Sequence, residues 1–247
     1  MEKNIIITGG SRGIGAATAL LAAEQGYQVG ITYREQKAAA HAIVTHINQK
    51  GGKAIAVQMD VSKEADIVQA FAQFDEQLGR VTALVNNAGI LKQGRVVDTS
   101  AAYLEQLFAT NVIGSFICAR EAIKRMSTAR GGQGGGIVNV SSIAARLGSA
   151  HEYVDYAATK GAIDTFTIGL AKEVIDEGIR VNAVRPGIIH TEIHATGGEP
   201  GRIERLKDAI PMQRGGYPEE VARAILWLLS DEASYSTGVL LDVSGGR

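Results

Sequence analysis

The stretch NIIITGGSRGIG, Asn4–Gly15, joins a short β-branched run to a glycine-rich turn, and a helical pattern follows to about Gly26. Glycines allow a tight turn, and a helix N-terminus favours an anion because its N–H groups are free and its dipole is positive there. The spacing of Gly9, Gly13 and Gly15 differs from the G-x-G-x-x-G fingerprint. The strand before the turn and the helix after it nevertheless predict a pyrophosphate site, with a purely structural turn as the alternative.

Short runs rich in Val, Ile, Ala and Leu alternate with helical patterns along the rest of the chain. Near-continuous apolar strands between helices indicate parallel strands that are buried on both faces. We therefore predict an α/β fold, a Rossmann-type doubly wound parallel sheet in a single domain, residues 1–247. The strands are expected at Asn4–Thr8, Gln28–Tyr33, Lys53–Gln58, Val81–Asn87, Gly136–Ser142, Ile179–Gly187 and 237–243. Helices are expected at about 13–26 and 35–50, after Ser62 as an N-cap, across 152–162, and at 219–229.

Composition excludes several classes of protein. The 247 residues are 45% hydrophobic and 21% charged, which is ordinary for one large α/β domain. A formal net charge of −1 gives no indication of a nucleic-acid or membrane partner. One cysteine, Cys118, excludes an internal disulfide and fits a reducing compartment, and no apolar run suits a signal peptide or a membrane span. These features predict a cytoplasmic globular protein.

The end of the second strand, TYREQ, indicates which dinucleotide is bound. An NAD-binding unit places an acidic residue there to accept a hydrogen bond from the ribose 2′-OH, but this chain has Arg34. Arg12 lies within the glycine turn, and two guanidiniums suit a 2′-phosphate. The alternative is that both arginines are solvated surface residues. The pattern favours NADP(H) over NAD(H).

The segment EYVDYAATKGA, Glu152–Ala162, puts a phenol and an ammonium on one helical face, because Tyr156 and Lys160 are four residues apart. A nearby cation in a partly desolvated site lowers the pKa of a phenol. A shift of about 3 units from about 10 makes Tyr156 a general acid/base near neutrality. A surface Tyr–Lys pair is the alternative. Tyr153 is the weaker candidate and is assigned instead to contact with substrate.

Six motifs occur in order across most of the chain: TGGSRGIG, NNAG (Asn86–Gly89), ATNVIGSF around Asn111, NVSS, YAATK and RPGIIHTE, with LLSDEASYSTGVLLDVSGG near the end. In this order they closely resemble the short-chain dehydrogenases/reductases, in particular NADP-dependent members similar to 3-oxoacyl reductases and glucose dehydrogenases. The resemblance implies a Rossmann sheet and a homotetramer or homodimer. It also implies hydride transfer between NADP(H) and a small-molecule carbonyl or secondary alcohol.

The resemblance further implies a catalytic set of Asn111, Ser142, Tyr156 and Lys160. Tyr156 would exchange the proton with the substrate oxygen, and Lys160 would lower the pKa of Tyr156 and hold the nicotinamide ribose. Ser142 would steady the carbonyl, and Asn111 would anchor a water that relays protons to Lys160. Ser142 precedes Tyr156 by one residue more than is usual, so Ser141 stays open. Strand alternation turns only one of the two serines into the site, and Ser142 is preferred.

The cofactor-binding residues are expected along the whole cleft. Asp60 and Val61 would flank the adenine, Asn87–Gly89 the middle of the cofactor, and Pro186–Thr191 its nicotinamide end. The full set is Gly9, Ser11, Arg12, Gly13, Ile14, Gly15, Tyr33, Arg34, Asp60, Val61, Asn87, Ala88, Gly89, Tyr156, Lys160, Pro186, Gly187, Ile189 and Thr191.

The segment of about 188–212 contains the glycine- and proline-rich run TGGEPGR and predicts a lid over the substrate. His190 and His194 have the spacing of metal ligands, but the glutamate between them does not fit H-E-x-x-H, and no metal is predicted.

The sequence as a whole predicts an NADP(H)-dependent oxidoreductase that interconverts a carbonyl and a secondary alcohol, with Tyr156 as general acid/base. A sugar or polyol dehydrogenase working in the oxidative direction is one alternative. A non-catalytic NADP(H)-sensing protein on the same scaffold is another, although a sensor does not need an acid–base tyrosine.

Overall fold

The computed structural model describes residues 3–247 and contains one seven-stranded sheet in which every strand pairs in parallel. The strand order is β3-β2-β1-β4-β5-β6-β7. The strands are β1 (Lys3–Ile7), β2 (Tyr27–Tyr33), β3 (Ala54–Gln58), β4 (Ala83–Asn86), β5 (Gly135–Val140), β6 (Ile179–Pro186) and β7 (Leu240–Val243). The predicted doubly wound Rossmann-type sheet is therefore confirmed.

Helices cover both faces of the sheet and run between successive strands. They are α1 (Gly13–Glu24), α2 (Lys37–Gln49), α3 (Glu64–Leu78), α4 (Ala101–Phe108), α5 (Gly114–Met126), α6 (Ala144–Leu147), α7 (Val154–Glu173), α8 (Ile193–Thr196), α9 (Arg202–Leu206) and α10 (Pro218–Leu229). A π-helical turn, Ala109–Ile113, joins α4 to α5. The sequence indicates a helical stretch around Cys118, which is α5, but gives no bounds for the helices between β4 and β5.

Alternating side chains of β1 fill two separate cores. Ile5 and Ile7 pack into the core that α1 and α10 cover, whereas Ile6 packs into the core on the opposite face, beneath α3. Side chains of a strand point alternately to the two faces of its sheet, so an apolar run such as III is buried on both.

Two local expectations are wrong. The N-cap of α3 is Lys63, not Ser62, and it makes no side-chain capping hydrogen bond. The Ser62 hydroxyl instead donates to Asp60 Oδ1 at 2.7 Å, so it is used in the turn before the helix. The last strand begins at Leu240, three residues later than expected, because Thr237 and Gly238 hydrogen-bond to β6 from the turn before it.

The strand order reverses between β1 and β4, because β1 pairs with β2 on one side and with β4 on the other. The chain leaves these strands toward opposite faces, which opens a crevice at their carboxyl ends. Within residues 3–247, no helix is both long and apolar enough to cross a bilayer.

Gly30→Ala is expected to destabilise the fold by about 1–3 kcal/mol. A Cβ at this position of β2 would lie 2.6 Å from the ring of Phe74, which is fully buried and has no room to move. Urea unfolding measures the change. Gly94→Ala is the control, since a Cβ there meets no described atom within 4 Å and its φ is not left-handed. Equal stability of the two variants would contradict this account of the packing.

Candidate active site

A cavity of about 620 Å³ opens at the carboxyl ends of the central strands. It runs from the glycine turn after β1, past the ends of β4 and β5, to the loop after β6. The predicted site residues that line it are Gly9, Ser11, Arg12, Gly13, Ile14, Tyr33, Arg34, Asp60, Val61, Asn87, Ala88, Gly89, Ser142, Tyr156, Lys160, Pro186, Gly187, Ile189 and Thr191. Asn111 and Gly15 do not line it.

The glycine turn presents an uncapped helix N-terminus to this cavity. Gly9 and Gly13 have φ values of +66° and +55°, which a residue with a Cβ adopts only with strain. Arg12 is the N-cap of α1, yet its side chain makes no capping hydrogen bond, and the first turn of the helix holds no acidic residue. The first N–H groups of this twelve-residue helix are therefore suited to a phosphate.

Thr8 holds the turn against the end of β4 and was missed by the sequence analysis. Its hydroxyl oxygen accepts hydrogen bonds from the backbone N–H groups of Asn87 and Ala88, both at 3.0 Å. The sequence did contain an indication of this role, because Thr8 stands at the end of the first strand and begins the glycine motif TGGSRGIG.

Gly15 lies behind the turn, in contrast to the expectation that it binds the cofactor. A Cβ there would be 2.4 Å from the carbonyl oxygen of Gly9 and 2.6 Å from Asn87 Nδ2. Glycine at this position therefore allows α1 to approach the strand ends closely.

Tyr156 and Lys160 lie one turn apart on α7. Lys160 Nζ is 5.5 Å from the centre of the Tyr156 ring and donates a hydrogen bond to the Val140 carbonyl at 2.7 Å. Lys160 is only 4% exposed, and this burial lowers the pKa of its ammonium to about 8. Burial disfavours the charged form of a lysine, so the ammonium depends on the hydrogen-bond acceptors around it.

The pKa of Tyr156 is raised, contrary to the expectation that Lys160 brings it toward neutrality. Burial raises the pKa of Tyr156 to about 12, and it outweighs the effects of the nearby Ser142 hydroxyl and of the positive charge of Arg202, which both lower the pKa. An ionised phenol loses its hydration in this cavity, and that loss exceeds the attraction of these neighbours. At neutral pH the phenol is protonated and acts as a hydrogen-bond donor.

The two serines after β5 have different partners. The Ser141 hydroxyl donates to the Lys160 carbonyl at 3.2 Å and is almost fully buried. Ser142 accepts from the Ala144 N–H at 3.1 Å, and its hydroxyl lines the same cavity as Tyr156 and lowers the pKa of the phenol. Ser142 is therefore the serine that lies beside the phenol. This placement favours Ser142 over Ser141 as the substrate contact, as strand alternation also does.

Asn111 braces the site from the π-helical turn. Its Oδ1 accepts from the Ile90 N–H at 2.8 Å, and its Nδ2 donates to the Ile90 carbonyl at 2.9 Å and to Thr159 Oγ1 at 3.2 Å. The side chain is 1% exposed and outside the cavity lining. It fastens the loop after β4 to α7. The expected water-anchoring role of Asn111 stays a prediction.

At the far end of the cavity, Arg34 is paired with its neighbour. Arg34 Nη2 is 2.6 Å from Glu35 Oε1, both side chains are exposed, and Glu35 also lines the cavity. The sequence analysis did not weigh Glu35, although an acid at the end of β2 is the group that accepts from a ribose 2′-OH.

The segment 188–212 forms one wall of the cavity. Its residues His194 and Arg202 are buried and line the cavity together with Tyr153. His194 Nε2 is 2.9 Å from the Ile189 carbonyl, whereas His190 stacks on Tyr217. The two histidines thus have separate partners, and no metal-binding group of three His, Cys, Asp or Glu side chains occurs within residues 3–247. Arg202 was missed because nothing in a glycine- and proline-rich segment indicates that its arginine is buried.

Comparison with known proteins agrees with this geometry. A family model described as enoyl-(acyl carrier protein) reductase matches residues 9–247. The uncharacterized oxidoreductase YgfF of Escherichia coli (strain K12) is 57% identical over 243 residues, which are 98% of each chain. A 3-oxoacyl-[acyl-carrier-protein] reductase of Homo sapiens is 40% identical over 100% of this chain and 98% of its own. The crystal structure of a blue fluorescent protein from a metagenomic library, in complex with NADPH, has a TM-score of 0.90 at 33% identity and covers 99% of this chain and 97% of its own.

The relatives thus match nearly the whole chain, including the uncapped glycine turn and the Tyr156–Lys160 pair. The protein belongs to the short-chain dehydrogenase/reductase family. It is an oxidoreductase that acts on alcohol or carbonyl groups.

Lys160→Met is expected to remove a pH-dependent part of the stability. Burial lowers the pKa of Lys160 to about 8, so from there to about 10.4 the unfolded chain keeps a proton that the folded chain has released. The free energy of unfolding of the wild type, relative to the variant, should therefore rise with pH by about 1 kcal/mol per unit in this window.

Urea unfolding of both proteins across this pH range measures the effect. Lys172→Met, at an exposed position of the same helix, is the control and should leave the pH dependence unchanged. A wild-type-to-Lys160→Met difference that is constant with pH would show that the ammonium is not under a burial penalty.

Proposed function

We propose that this protein is an NADPH-dependent carbonyl reductase in which Tyr156 protonates the substrate oxygen. The observation that carries the proposal is that Tyr156 and Ser142 line the same cavity as the glycine turn at the N-terminus of α1. A proton donor and an anion site thus share one cleft, as transfer of a hydride and a proton to a carbonyl requires.

The residues present fit a nicotinamide dinucleotide phosphate. The first N–H groups of α1 would hold the pyrophosphate, and Lys160, which uses one N–H on Val140, has two more for the ribose hydroxyls. Asp60 and Val61 line the cavity after β3, and Gly187 and Thr191 line it in the loop after β6. When bound, NADPH supplies the hydride.

Tyr156 is in the protonation state that reduction requires. A phenol with a pKa of about 12 is neutral at physiological pH and carries the proton that an oxyanion needs. An alcohol is about as weak an acid as water and a weaker acid than the phenol, so transfer of the proton from the phenol to the developing alkoxide is downhill. Ser142 would hold the same oxygen in line with the phenol.

A sugar or polyol dehydrogenase would use the same tyrosine as a base in the oxidative direction, and it is the second candidate. Family membership favours an enzyme over a non-catalytic sensor. The 3-oxoacyl reductase among the relatives supports a carbonyl substrate for this chain as well.

NADPH is preferred in this proposal because Arg12 and Arg34 both line the adenosine end. The Glu35 carboxylate competes for Arg34, so a 2′-phosphate would have to replace the Arg34–Glu35 pair. This pair is exposed, and exposed ion pairs contribute little to stability. Replacing the carboxylate by a phosphate therefore costs little free energy.

The homotetramer and the cytoplasmic location stay predictions. Several apolar side chains on one group of helices are exposed in the single chain, which supports self-association through them. They are Leu104, Phe108, Ile113, Phe116, Val154 and Ile168.

Tyr156→Phe is expected to lower NADPH-dependent carbonyl reduction by about 10²–10⁴-fold, because the proton donor is lost while the ring remains. Loss of NADPH absorbance over a panel of ketones measures turnover, and calorimetry measures NADPH binding, which should change little. Tyr153→Phe removes a neighbouring hydroxyl that contacts Glu199 and should keep most of the activity. Activity of Tyr156→Phe within tenfold of the wild type would refute the assignment.

Arg34→Asp is expected to lower the preference for NADPH over NADH by about tenfold or more, since a carboxylate repels the 2′-phosphate and accepts from a 2′-OH. Glu35→Gln, which frees Arg34 from its ion pair, should move the preference in the opposite direction. Dissociation constants of both cofactors measure the ratio. If neither variant changes the ratio, these side chains do not select the cofactor.

A further inference from the structure

We infer that Arg202 is a specificity-determining residue, which hydrogen-bonds a second, uncharged oxygen of the substrate next to the carbonyl that is reduced. The substrate class would then be compounds with two neighbouring oxygen functions, such as dicarbonyls and oxo-esters, in preference to simple ketones. This inference rests on the proposed carbonyl reduction and adds to it the part of the substrate that is recognised.

Arg202 is held in place through one nitrogen. Its Nη1 is 2.8 Å from Glu152 Oε2 and 2.7 Å from Glu199 Oε2, and Nε and Nη2 donate no hydrogen bond to any group within residues 3–247. These two nitrogens carry three N–H groups along one edge of the planar guanidinium. The geometry suits side-on donation to an oxygen acceptor.

The guanidinium lies against the same cavity as the proton donor. Arg202 is 9% exposed and lines the cavity with Tyr153 and Tyr156, and its Cζ stacks 4.4 Å from the centre of the Tyr153 ring. Its positive charge lowers the pKa of Tyr156, although burial raises that pKa by more. An oxygen bound by Arg202 would thus belong to the same small molecule whose carbonyl meets Tyr156.

The charges around Arg202 favour an uncharged acceptor over a carboxylate. Arg205 Nη2 is 2.6 Å from Glu152 and its Nε is 2.5 Å from Glu199, so two arginines and two glutamates form a closed group. Their formal charges, two positive and two negative, sum to zero. A third carboxylate would enter beside two existing ones and be repelled, whereas an ester or ketone oxygen would not.

The test compares two substrates of equal chain length, ethyl 3-oxobutanoate, which has a second carbonyl, and 2-heptanone, which has methylene groups in its place. In Arg202→Lys the side chain keeps its charge but loses the planar edge. We expect kcat/KM for the oxo-ester to fall by about tenfold to a hundredfold relative to kcat/KM for 2-heptanone. A change of this size corresponds to the loss of one hydrogen bond to a charged group.

Arg205→Lys is the matched control, because Arg205 pairs with the same two glutamates, is half-exposed and lies outside the cavity lining. Its oxo-ester-to-ketone ratio should equal that of the wild type. If Arg202 only fastens the wall of the cavity, both substrates should lose activity together, and that result would overturn the inference. Arg202→Gln replaces Arg202→Lys if the latter does not fold, with the same expectation.

A third substrate, 3-oxobutanoate, tests the charge argument in the wild type. We expect its kcat/KM to be lower than that of the ethyl ester, and a preference for the carboxylate would overturn the uncharged acceptor. Failure of the inference is distinct from failure of the proposed function. If the wild type reduces ketones and Arg202→Lys has the same oxo-ester-to-ketone ratio as the wild type, only the role of Arg202 is refuted. If the wild type reduces no carbonyl compound, the proposed function is refuted as well.

Discussion

Parallel pairing of β1 with both β2 and β4 is the constraint on which the rest of this molecule depends. Because every strand runs the same way, the carboxyl ends of all seven lie at one edge of the sheet. The reversal of strand order at β1 and β4 opens that edge into a crevice. The glycine turn meets the end of β5 and the start of α7 there, although more than a hundred residues separate it from both in the chain.

Burial in this crevice decides the chemistry of its ionisable groups. The pKa of Tyr156 is raised to about 12 and that of Lys160 is lowered to about 8, so burial shifts both groups toward their neutral forms, although Lys160 is still mostly an ammonium at neutral pH. Asn111 holds the loop after β4 against α7, the helix that carries both groups, by hydrogen bonds that do not need an ionised partner. The neutral state of the phenol agrees with the proton-donor role proposed for Tyr156.

Charge is used differently at the two ends of the cavity. At the end of β2 the Arg34–Glu35 pair is exposed, so solvent weakens the attraction between the two charges. At the substrate end, Arg202 is buried and held by Glu152 and Glu199 through one nitrogen. Removing either glutamate would leave a buried charge poorly compensated, so this pairing holds the arginine in one orientation.

Sequence alone determined what depends on neighbours along the chain: the alternation of strands and helices, the turn at Gly9 and Gly13, and the placement of Tyr156 and Lys160 on one helical face. Only the tertiary structure decided the direction of their pKa shifts, the packing role of Gly15 and the burial of Arg202. The physical reason is that exclusion of water, and contacts between residues far apart in the chain, arise when the sheet closes its crevice. No local pattern records either of them.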